Sequence, residues 1–376
     1  MKKRNIVLAL ALSCLMVMSI FTGCAKPAAP IAEAPATEAA DKPAATEEKP
    51  AETVPAELPV IRIGCMPYYS GAPAQVILDE KLDEKFGFKL KVVVFPSGGP
   101  MAEALGANEW DVGPIGAGGM VAVPNYGARL VADVHYETDA CWLFARPGSD
   151  IVKAGNTVPE FPDVIGDAAS VKGKTMLGTF GNISQYFGVD YLNKLGLKIE
   201  DVNFLHMEIS QIYTAFVSGQ GDLAAVGSPS AAYKLKMEGY PVVGGLTQQG
   251  ISQQDALLIS EDMYLNHKDL SVQFLKAWFT ATGMMNADIE YQIQKCLKFY
   301  TENGRSDVTE ESVRQECESS SYVDVNNFGK KEVGKWMKGL VEFMVGIEAM
   351  PKEIIDGLNI NIDPSLSEQA IAELKK

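Results

Sequence analysis

The side chains that most often carry catalytic or metal chemistry are few and widely spaced in this 376-residue sequence. The histidines are His135, His206 and His267, and their separation does not suggest a metal cluster or a proton relay. A Gly-x-Ser-x-Gly motif, which would place a nucleophilic serine on a sharp turn, does not occur. We therefore expect each histidine to be a structural or surface residue, and we expect no catalytic residues and no metal.

One glycine-rich run has the composition of a cofactor-binding loop. Gly116-Ala117-Gly118-Gly119 follows an apolar segment, as a dinucleotide-binding loop would. However, Val121 occupies the third glycine position of that motif, and Pro124 is expected to interrupt the helix that must follow. The sequence thus predicts no nucleotide cofactor.

Four of the six cysteines lie in the part of the chain that is predicted to fold, and none has the spacing of a metal site. These four are Cys65, Cys141, Cys296 and Cys317. A disulfide between Cys296 and Cys317, or between Cys65 and Cys141, stays open because sequence alone does not fix connectivity. We favour the interpretation that all four are buried free thiols.

Predicted strands and helices alternate along two stretches of the chain. The first series of strands covers residues 60–64, 90–95, 111–115 and 128–136, and the second covers 175–178, 202–206, 222–226 and 241–244. A further strand is predicted at 256–259, and only helices are predicted beyond about residue 269. This alternation is typical of parallel sheets, in which ligands bind at the loops beyond the carboxyl ends of the strands. Two such sheets facing each other would enclose a cleft.

The order of short motifs along the chain resembles the nitrate, sulfonate and taurine type of solute-binding proteins of ABC transporters. The motifs are IRIG at 61–64, SGG at 97–99, ALGANEWDVG at 104–113, VKGKT at 171–175, GNIS at 181–184 and AFVSGQGD at 215–222. Together they extend over nearly the whole part that is predicted to fold. The resemblance implies a binding protein rather than an enzyme, with an ABC permease and an ATPase as partners.

The resemblance also implies an α/β fold, the two-lobed periplasmic-binding-protein fold of type 2. Each lobe would be a mostly parallel sheet flanked by helices. Lobe I would comprise residues 58–141 and 246–376, with extra C-terminal helices, and lobe II would comprise residues 142–245. A small-molecule ligand would bind between the lobes, which close around it by a hinge motion. We expect a monomer without a cofactor.

Carried over by position, the resemblance places the ligand-binding residues in turns between strands and helices. In lobe I they are Tyr68, Tyr69, Ser70, Ser97, Gly98, Gly116 and Ala117, and in lobe II they are Asn182, Ile183, Ser184, Gln185, Glu208, Ser210, Gly227 and Ser228. The hydroxyls and the free N–H groups at helix starts would hold an acceptor on the ligand. The alternative is that Ser97 only caps a helix and that the glycines only permit turns.

The chemistry of the ligand stays open at this stage. Helix starts suit a sulfonate, a nitrate or a carboxylate. Glu208 instead favours a cationic or amine-bearing ligand, or a neutral hydrogen-bonding one such as a pyrimidine-type precursor. Tyr68, Tyr69, Tyr136 and Trp142 are candidates for an aromatic wall. Of these, Trp142 fits core or hinge packing better, whereas Tyr69 is the better candidate for the pocket.

The first 57 residues predict export and anchoring rather than a folded unit. Residues 1–4 are positively charged, and residues 6–20 form an apolar run typical of a signal peptide. The sequence FTGC at 21–24 resembles a bacterial lipobox, so we expect residues 1–23 to be removed and Cys24 to carry a lipid. Residues 24–57 are rich in Ala, Pro and Glu, which predicts a disordered tether.

The formal net charge of −15 disfavours nucleic acid as a partner. The implied fold is similar to that of thiamine-pyrimidine synthases, which carry a cysteine-rich iron-binding stretch, but nothing in this sequence matches that stretch. A binding protein that signals to a membrane sensor without transport stays an alternative, because it would use the same two lobes. The prediction is therefore a lipid-anchored solute-binding protein outside the cytoplasm.

Overall fold

The computed structural model describes residues 57–376, apart from 137–140, 252–253, 347 and the side chains of 229 and 230. The predicted signal peptide, Cys24 and nearly all of the predicted tether therefore lie outside the described residues. Within the described part, strands and helices alternate along the chain as the sequence predicts.

The secondary structure elements are numbered in chain order. The strands are β1 (Val60–Cys65), β2 (Lys89–Val94), β3 (Val112–Ile115), β4 (Arg129–Asp133), β5 (His135–Tyr136), β6 (Trp142–Ala145), β7 (Thr175–Gly178), β8 (Asn203–His206), β9 (Leu223–Val226), β10 (Val242–Gly245), β11 (Ala256–Ile259) and β12 (Ser321–Tyr322). The helices are α1 (Pro73–Asp79), α2 (Leu82–Lys85), α3 (Gly98–Gly106), α4 (Gly119–Tyr126), α5 (Asp150–Ala154), α6 (Ala168–Val171), α7 (Ile183–Lys194), α8 (Ile209–Val217), α9 (Pro229–Met237), α10 (Glu261–Asn266), α11 (Lys268–Ala287), α12 (Ile289–Glu302), α13 (Glu310–Glu318), α14 (Lys335–Gly346), α15 (Ile354–Ile360) and α16 (Ser365–Leu374).

The first sheet has five strands in the order β2-β1-β3-β11-β4. β1 pairs in parallel with β2 and β3, whereas β11 is antiparallel to both β3 and β4. Ile61 and Ile63 occupy alternate positions of β1, so they lie on one face of the sheet, where they are completely buried. β11 joins this sheet only after the chain has completed the second sheet.

The second sheet also has five strands, in the order β10-β6-β9-β7-β8. β7 is parallel to β8 and β9, whereas β6 is antiparallel to β9 and β10. All residues of β9 are buried, as expected for a central strand that is covered on both faces. Each sheet is therefore parallel except for one strand, β11 in the first sheet and β6 in the second.

Helices cover both faces of each sheet and form separate apolar clusters. On the first sheet, Trp278 of α11 lies in the cluster on one face, and Trp110 lies in the cluster on the other face with residues of α14 and α15. On the second sheet, Phe187 of α7 and Phe216 of α8 lie in the two opposite clusters. The C-terminal helices thus enlarge the cores of the first sheet.

Three predicted elements differ from the structure. The apolar spacing of residues 74–86 predicts one helix, but the structure has two, α1 and α2, because Lys81 between them adopts a left-handed conformation with φ of 52°. The strand predicted at 128–136 is divided at Val134 into β4 and β5. The prediction of helices alone beyond residue 269 is wrong, because β12 pairs with β5. The first two differences arise from local backbone geometry and the third from the pairing of distant segments, and the apolar pattern encodes neither.

The prediction that Pro124 interrupts the helix after the glycine run is wrong. α4 continues through Pro124 to Tyr126. A proline inside a helix removes one backbone hydrogen bond, and packing can offset that loss. Gly357 of α15 lies against the proline, and a Cβ atom at Gly357 would lie 2.9 Å from Pro124 Cβ. The absence of a side chain at Gly357 therefore lets α15 pack directly on this part of α4.

The four cysteines of the described part are free and buried, which confirms the favoured prediction. Burial raises the pKa of the Cys65 thiol to about 12. Cys296 Sγ lies 3.6 Å from the hydroxyl of Tyr322, within the apolar cluster of the first sheet. These thiols are therefore packing residues rather than reactive groups.

Candidate functional site

A cavity of about 70 Å³ lies where turns from the two sheets meet. The turns follow the carboxyl ends of β1, β2 and β3 on one side and of β7, β8 and β9 on the other. The cavity is lined by Met66, Tyr68, Tyr69, Ser70, Gly98, Gly116, Ala117, Gly118, His135, Cys141, Asn182, Ile183, Ile209, Gly227, Asp255 and Glu316. A molecule in this space would contact residues that both sheets position.

The structure brings many of the sequence-predicted ligand-binding residues together at this cavity. Those that line it are Tyr68, Tyr69, Ser70, Gly98, Gly116, Ala117, Asn182, Ile183 and Gly227. Those that are not among its lining residues are Ser97, Ser184, Gln185, Glu208, Ser210 and Ser228. Ligand contact stays a prediction for both groups.

The predicted residues that do not line the cavity lie close to it in the chain. Ser97 is buried at the start of α3, where its side chain makes no capping hydrogen bond. Gln185 Oε1 accepts a hydrogen bond from the Gly181 N–H at 2.8 Å. Ser210 is exposed on the first turn of α8. Helix capping by the Ser97 side chain, the alternative raised by the sequence, is therefore not what the structure shows.

The glycines of the site let turns approach each other closely. A Cβ atom at Gly118 would lie 2.4 Å from the carbonyl oxygen of Gly98, so the turns after β2 and β3 are in backbone contact. A Cβ atom at Gly227 would lie 2.7 Å from Ser184 Oγ. Side chains at these positions would separate the turns that form the cavity.

Two polar atoms of residues that line the cavity are buried without a hydrogen-bond partner among the described residues. They are the Ser70 hydroxyl oxygen and the Asn182 side-chain nitrogen. Asn182 Oδ1 accepts a hydrogen bond from the Ser184 N–H at 2.9 Å and so caps α7. Because unpaired buried polar groups cost about 1–3 kcal/mol each, such groups indicate a place where a bound molecule supplies the partner.

Tyr69 is held rigidly at the wall of the cavity. Its ring stacks on the ring of Tyr322 with 4.1 Å between centroids. It also forms a T-shaped contact with the His135 ring, with 5.6 Å between centroids. Gln292 Nε2 donates a hydrogen bond to the Tyr69 hydroxyl at 2.5 Å. Burial raises the pKa of Tyr69 well above its ordinary value, so the phenol is neutral. Tyr69 therefore presents a fixed, uncharged aromatic surface.

The aromatic wall suggested by the sequence is only partly present. Tyr68 and Tyr69 line the cavity, but Tyr136 and Trp142 do not. Trp142 packs in the core of the second sheet, where its ring centroid lies 5.0 Å from that of Tyr233 and 6.2 Å from that of Phe144. The preference for core packing at Trp142 is therefore confirmed.

Sequence reasoning missed the ionisable residues of the cavity. Asp255, Glu316 and His135 line it, and the described residues that line it include no lysine or arginine. Glu316 Oε2 accepts a hydrogen bond from the Tyr300 hydroxyl at 3.0 Å, and His135 Nε2 lies 3.9 Å from Asp255 Oδ2. The ionisable groups at the cavity wall are thus two carboxylates and one imidazole.

The antiparallel strands β11 and β6 explain why sequence reasoning missed Asp255 and Cys141 as cavity residues. Because β11 is antiparallel, its first residue Ala256 pairs with Ile115 at the end of β3, which brings Asp255 to the turn containing Gly116. In the same way, Trp142 at the start of β6 pairs with Val226, which brings Cys141 beside Gly227. In the sequence, each of these residues stands directly before a strand that runs antiparallel to its neighbours, and that position could have identified it as a cavity residue.

Comparison with known proteins places the chain in a family. The profile of the NMT1-like family matches residues 54–294. The chain belongs to the NMT1-like family. A relative from Brachyspira hyodysenteriae, named as an ABC transporter periplasmic binding protein, is 32% identical over 311 residues, which cover 83% of this chain and 89% of the relative. The name of this relative agrees with the solute-binding function that the sequence motifs predict.

Solved structures share the fold at low sequence identity. The aliphatic sulphonate binding protein SsuA of Escherichia coli matches with a TM-score of 0.63 and 17% identity, over 81% of this chain and 91% of that one. The nitrate-binding protein NrtA of Synechocystis matches with a TM-score of 0.65 and 13% identity, over 85% and 90%. The NMT1-like protein therefore has the two-lobed periplasmic-binding-protein fold, which confirms the predicted fold class.

A buried arginine of the NMT1-like protein connects the two sides of the cavity. Arg305 Nη1 donates to the carbonyl oxygen of Pro67, which follows β1, at 3.1 Å, and Nη2 donates to Ser228 Oγ, which follows β9, at 3.0 Å. Asp307 accepts two further hydrogen bonds from the guanidinium, each at 2.6 Å. The guanidinium also lies 4.8 Å from the ring centroid of Tyr68. Arg305 thus joins turns of both sheets.

A second, larger cavity has the opposite charge. It has a volume of about 630 Å³ and is lined by Tyr186, Gly250, Ile251, Gln254, Lys330, Lys331, Glu332, Lys335, Trp336, Gly339 and Leu340. Three of these residues are lysines and one is a glutamate. The NMT1-like protein therefore offers a small acidic cavity and a larger basic one.

The described residues show neither a metal site nor a membrane span. Over these residues, no group of three or more His, Cys, Asp and Glu side chains is arranged to hold a metal ion. Likewise, none of the helices in the described part combines the length and apolarity needed to cross a bilayer.

Proposed function

We propose that this solute-binding protein closes its lobes around one small organic molecule in the 70 Å³ cavity and delivers it to an ABC permease. The observation that carries this proposal is that turns of both sheets line the cavity, so a ligand there contacts both halves of the molecule. A ligand that contacts both halves favours the closed arrangement through its differential affinity for that state. The protein acts as a monomer, performs no reaction on its ligand, and relies on an ATPase to drive transport.

The two sheets support the lobe boundaries that the sequence predicts. Strands of the first sheet come from residues 60–133 and 256–259, and strands of the second come from residues 142–245. We assign residues 58–141 and 246–376 to lobe I and residues 142–245 to lobe II. The chain then crosses between lobes near Cys141 and in the segment between β10 and β11, which ends at Asp255. Both Cys141 and Asp255 line the cavity.

The N-terminal sequence supports attachment to a membrane by lipid. We assign residues 1–23 to the signal peptide and Cys24 to acylation, with residues 24–57 as the tether. Substitution Cys24→Ser should move the protein from the membrane fraction to the soluble fraction in its host. Membrane association of this variant that withstands high salt would contradict the assignment.

A ligand screen on the purified full chain tests the proposed function. The protein is first unfolded and refolded to remove co-purified ligand, and thermal unfolding is then followed by tryptophan fluorescence with amines, sulfonates, carboxylates and neutral heterocycles. Because a ligand binds only the folded state, a true ligand at 100 times its Kd stabilises by about 2.7 kcal/mol. Saturation at one molecule per chain supports the proposal.

Two variants distinguish cavity binding from surface binding. Asn182→Ser keeps a capping oxygen at the start of α7 but removes the buried amide nitrogen, so it should weaken ligand binding. Ser218→Ala changes an exposed residue outside the cavity that is not a predicted ligand-binding residue, and it should leave binding unchanged. Equal affinity in both variants would place the ligand elsewhere.

A further inference from the structure

We propose that the cavity of about 630 Å³ is a second binding site, which takes an organic anion with a doubly charged head group and an apolar body, such as a phosphate monoester. Lys330 and Lys335 hold the head group, and Trp336 and Leu340 contact the body. This inference goes beyond the proposed function, because the site is separate from the 70 Å³ cavity and its occupant is a different molecule from the transported one.

Residues from both halves of the molecule form this second cavity. Tyr186 belongs to α7, which covers the second sheet, and Lys335 belongs to α14, which covers the first. Gly250 and Gln254 line it from the segment that connects β10 with β11. The ring of Tyr186 forms a T-shaped contact with Phe343 of α14, with 4.5 Å between centroids. Among the described residues that line the two cavities, none is shared, so the two sites can be altered separately.

The charges at the second cavity favour an anion. Glu332 is the acidic residue among the described lining residues. Its Oε1 accepts a hydrogen bond from Lys338 Nζ at 3.0 Å, and this contact lowers the pKa of the carboxyl. Because the charges of Glu332 and Lys338 balance each other, Lys330 and Lys335 give the cavity a positive surplus that a doubly charged head group would match.

The carboxyl group of Asp133 lies behind the wall and is engaged within the core. It is 1% exposed, is not among the lining residues, and accepts hydrogen bonds from the Gly334 N–H and from Trp336 Nε1 at 3.1 and 3.2 Å. Burial raises its pKa to about 6, whereas the charge of Lys331, a third lysine of the lining, acts in the opposite direction. Asp133 therefore does not cancel the positive surplus at Lys330 and Lys335.

This positive surplus contrasts with the charge of the whole chain, which is −15. A strongly acidic protein repels anions at long range, so an anion binds only where cations are concentrated. Lys335 is also the first residue of α14, a helix of 12 residues, and the partial positive charge of a helix start adds to that of the lysines. The second cavity is therefore a favourable place for an anion on this protein.

The apolar part of the lining indicates the body of the ligand. Ile251, Trp336 and Leu340 line the cavity, and the Trp336 ring is fixed because its Nε1 donates to Asp133. The volume of about 630 Å³ lies within the roughly 300–1,000 Å³ of small-molecule sites. An inorganic ion would leave most of this space and its apolar surface in water, whereas an anion with an apolar or aromatic body would cover it.

The test compares phenyl phosphate, inorganic phosphate and benzyl alcohol by calorimetry on the purified full chain. The buffer is Tris chloride of low ionic strength, because phosphate and sulfonate buffers would compete for the lysines. Phenyl phosphate should bind about threefold to tenfold tighter than inorganic phosphate, because its ring covers the apolar lining. It should also bind at least about tenfold tighter than benzyl alcohol, and added salt should weaken its binding.

Lysine variants show where phenyl phosphate binds. Lys330→Gln and Lys335→Gln should each weaken its binding about threefold to fivefold, as the loss of one partly exposed ion pair does. Lys91→Gln is the matched control, because Lys91 is an exposed lysine of β2 that does not line the cavity. This control should bind phenyl phosphate as the unaltered protein does.

The outcomes separate this inference from the proposed function. Equal weakening by Lys91→Gln and Lys335→Gln, or equal affinity for phenyl phosphate and inorganic phosphate, would mean general attraction of anions and would overturn the inference. Binding that is lost in Ser70→Ala and kept in Lys335→Gln would place phenyl phosphate in the 70 Å³ cavity, which would overturn the inference and support the proposed function.

Two further outcomes would also overturn the inference. Absence of phenyl phosphate binding would do so and leave the proposed function intact, because that function rests on the other cavity. A polyglutamate peptide that binds tighter than phenyl phosphate, and loses binding in Lys335→Gln, would make the cavity a contact site for an acidic protein segment instead. Because the comparison of compounds uses the unaltered protein, it decides the question even if a lysine variant fails to fold.

Discussion

Ser70 is the residue whose role can be tested most directly. Its buried hydroxyl lacks a partner among the described residues, so the free protein bears the desolvation cost of that group. Replacement Ser70→Ala should leave the Tm of the free protein unchanged or slightly higher. Ligand affinity should fall about three- to tenfold, the equivalent of one neutral hydrogen bond of about 1 kcal/mol, as measured by calorimetry.

Ser271 provides the control for this prediction. Its hydroxyl is also buried, but it donates to the carbonyl oxygens of Met263 and His267 at 3.1 and 3.0 Å. Ser271→Ala should therefore lower the Tm and leave ligand affinity unchanged. A Tm loss in Ser70→Ala as large as that in Ser271→Ala would show that the Ser70 hydroxyl serves the fold rather than the ligand.

Asp133 should make stability depend on pH. Burial raises the pKa of its carboxyl from 3.8 to about 6, although hydrogen bonds from the Gly334 N–H and Trp336 Nε1 oppose this increase. Since the folded state holds the proton more tightly than the unfolded state, the stabilisation is complete below about pH 4 and is lost as pH rises through about 6. At pH 7 the penalty is on the order of 2–3 kcal/mol.

The variant Asp133→Asn removes this titration while keeping an oxygen that accepts both hydrogen bonds. Its free energy of unfolding, measured by urea titration between pH 4 and pH 8, should vary less with pH than that of the unaltered protein. The variant should gain relative stability as pH rises. Parallel stability curves for the two proteins over this range would contradict the assignment of the titration to Asp133.

At the scale of elements, Gly118 determines how closely the turns after β2 and β3 approach. Its φ of −57° is compatible with alanine, but a Cβ atom would lie 2.4 Å from the Gly98 carbonyl oxygen. Gly118→Ala should therefore destabilise the protein by about 1–3 kcal/mol, as overpacking does, and lower ligand affinity. Thermal unfolding and calorimetry measure the two effects.

Gly99 is the matched control for Gly118. It lies in α3, and a Cβ atom there would have nothing within 4 Å. Gly99→Ala should raise stability by about 0.4–1 kcal/mol, because alanine restricts the unfolded chain more than glycine does. If both alanine variants changed stability equally, the close approach at Gly118 would not control the packing of these turns.

The sequence predicts the elements of this fold better than the full set of residues at the cavity. Strand and helix positions follow from apolar periodicity, and the turns that end at Ser70, Gly116 and Asn182 were recognised as strand-end turns. Asp255 and Cys141 were missed because strand direction depends on pairing between distant segments, which periodicity does not report. Glu316 reaches the cavity from α13, far along the chain, so its role depends on tertiary packing alone.

At the scale of the whole molecule, side-chain contacts near the cavity join the two sheets. Arg305 joins Pro67 on one side to Ser228 on the other, and Tyr186 of α7 packs against Phe343 of α14 with 4.5 Å between ring centroids. In the proposed hinge motion, contacts between the lobes form only in the closed arrangement, so each of them would shift the balance between closed and open states. Ligand release from a closed cavity requires that these contacts break.

Ser228→Ala tests this linkage without disturbing the Arg305 pair with Asp307. The variant removes the hydrogen bond of 3.0 Å across the lobes, which should make opening more favourable by about 1 kcal/mol. Ligand dissociation should then accelerate about fivefold while association changes little, since mutational effects on affinity fall mostly on dissociation. Stopped-flow tryptophan fluorescence gives both rates, and Ser218→Ala, whose hydroxyl bonds within α8, should match the unaltered protein. Unchanged dissociation in Ser228→Ala would mean that the lobes stay closed through other contacts and that Arg305 stabilises only the lobe containing Asp307.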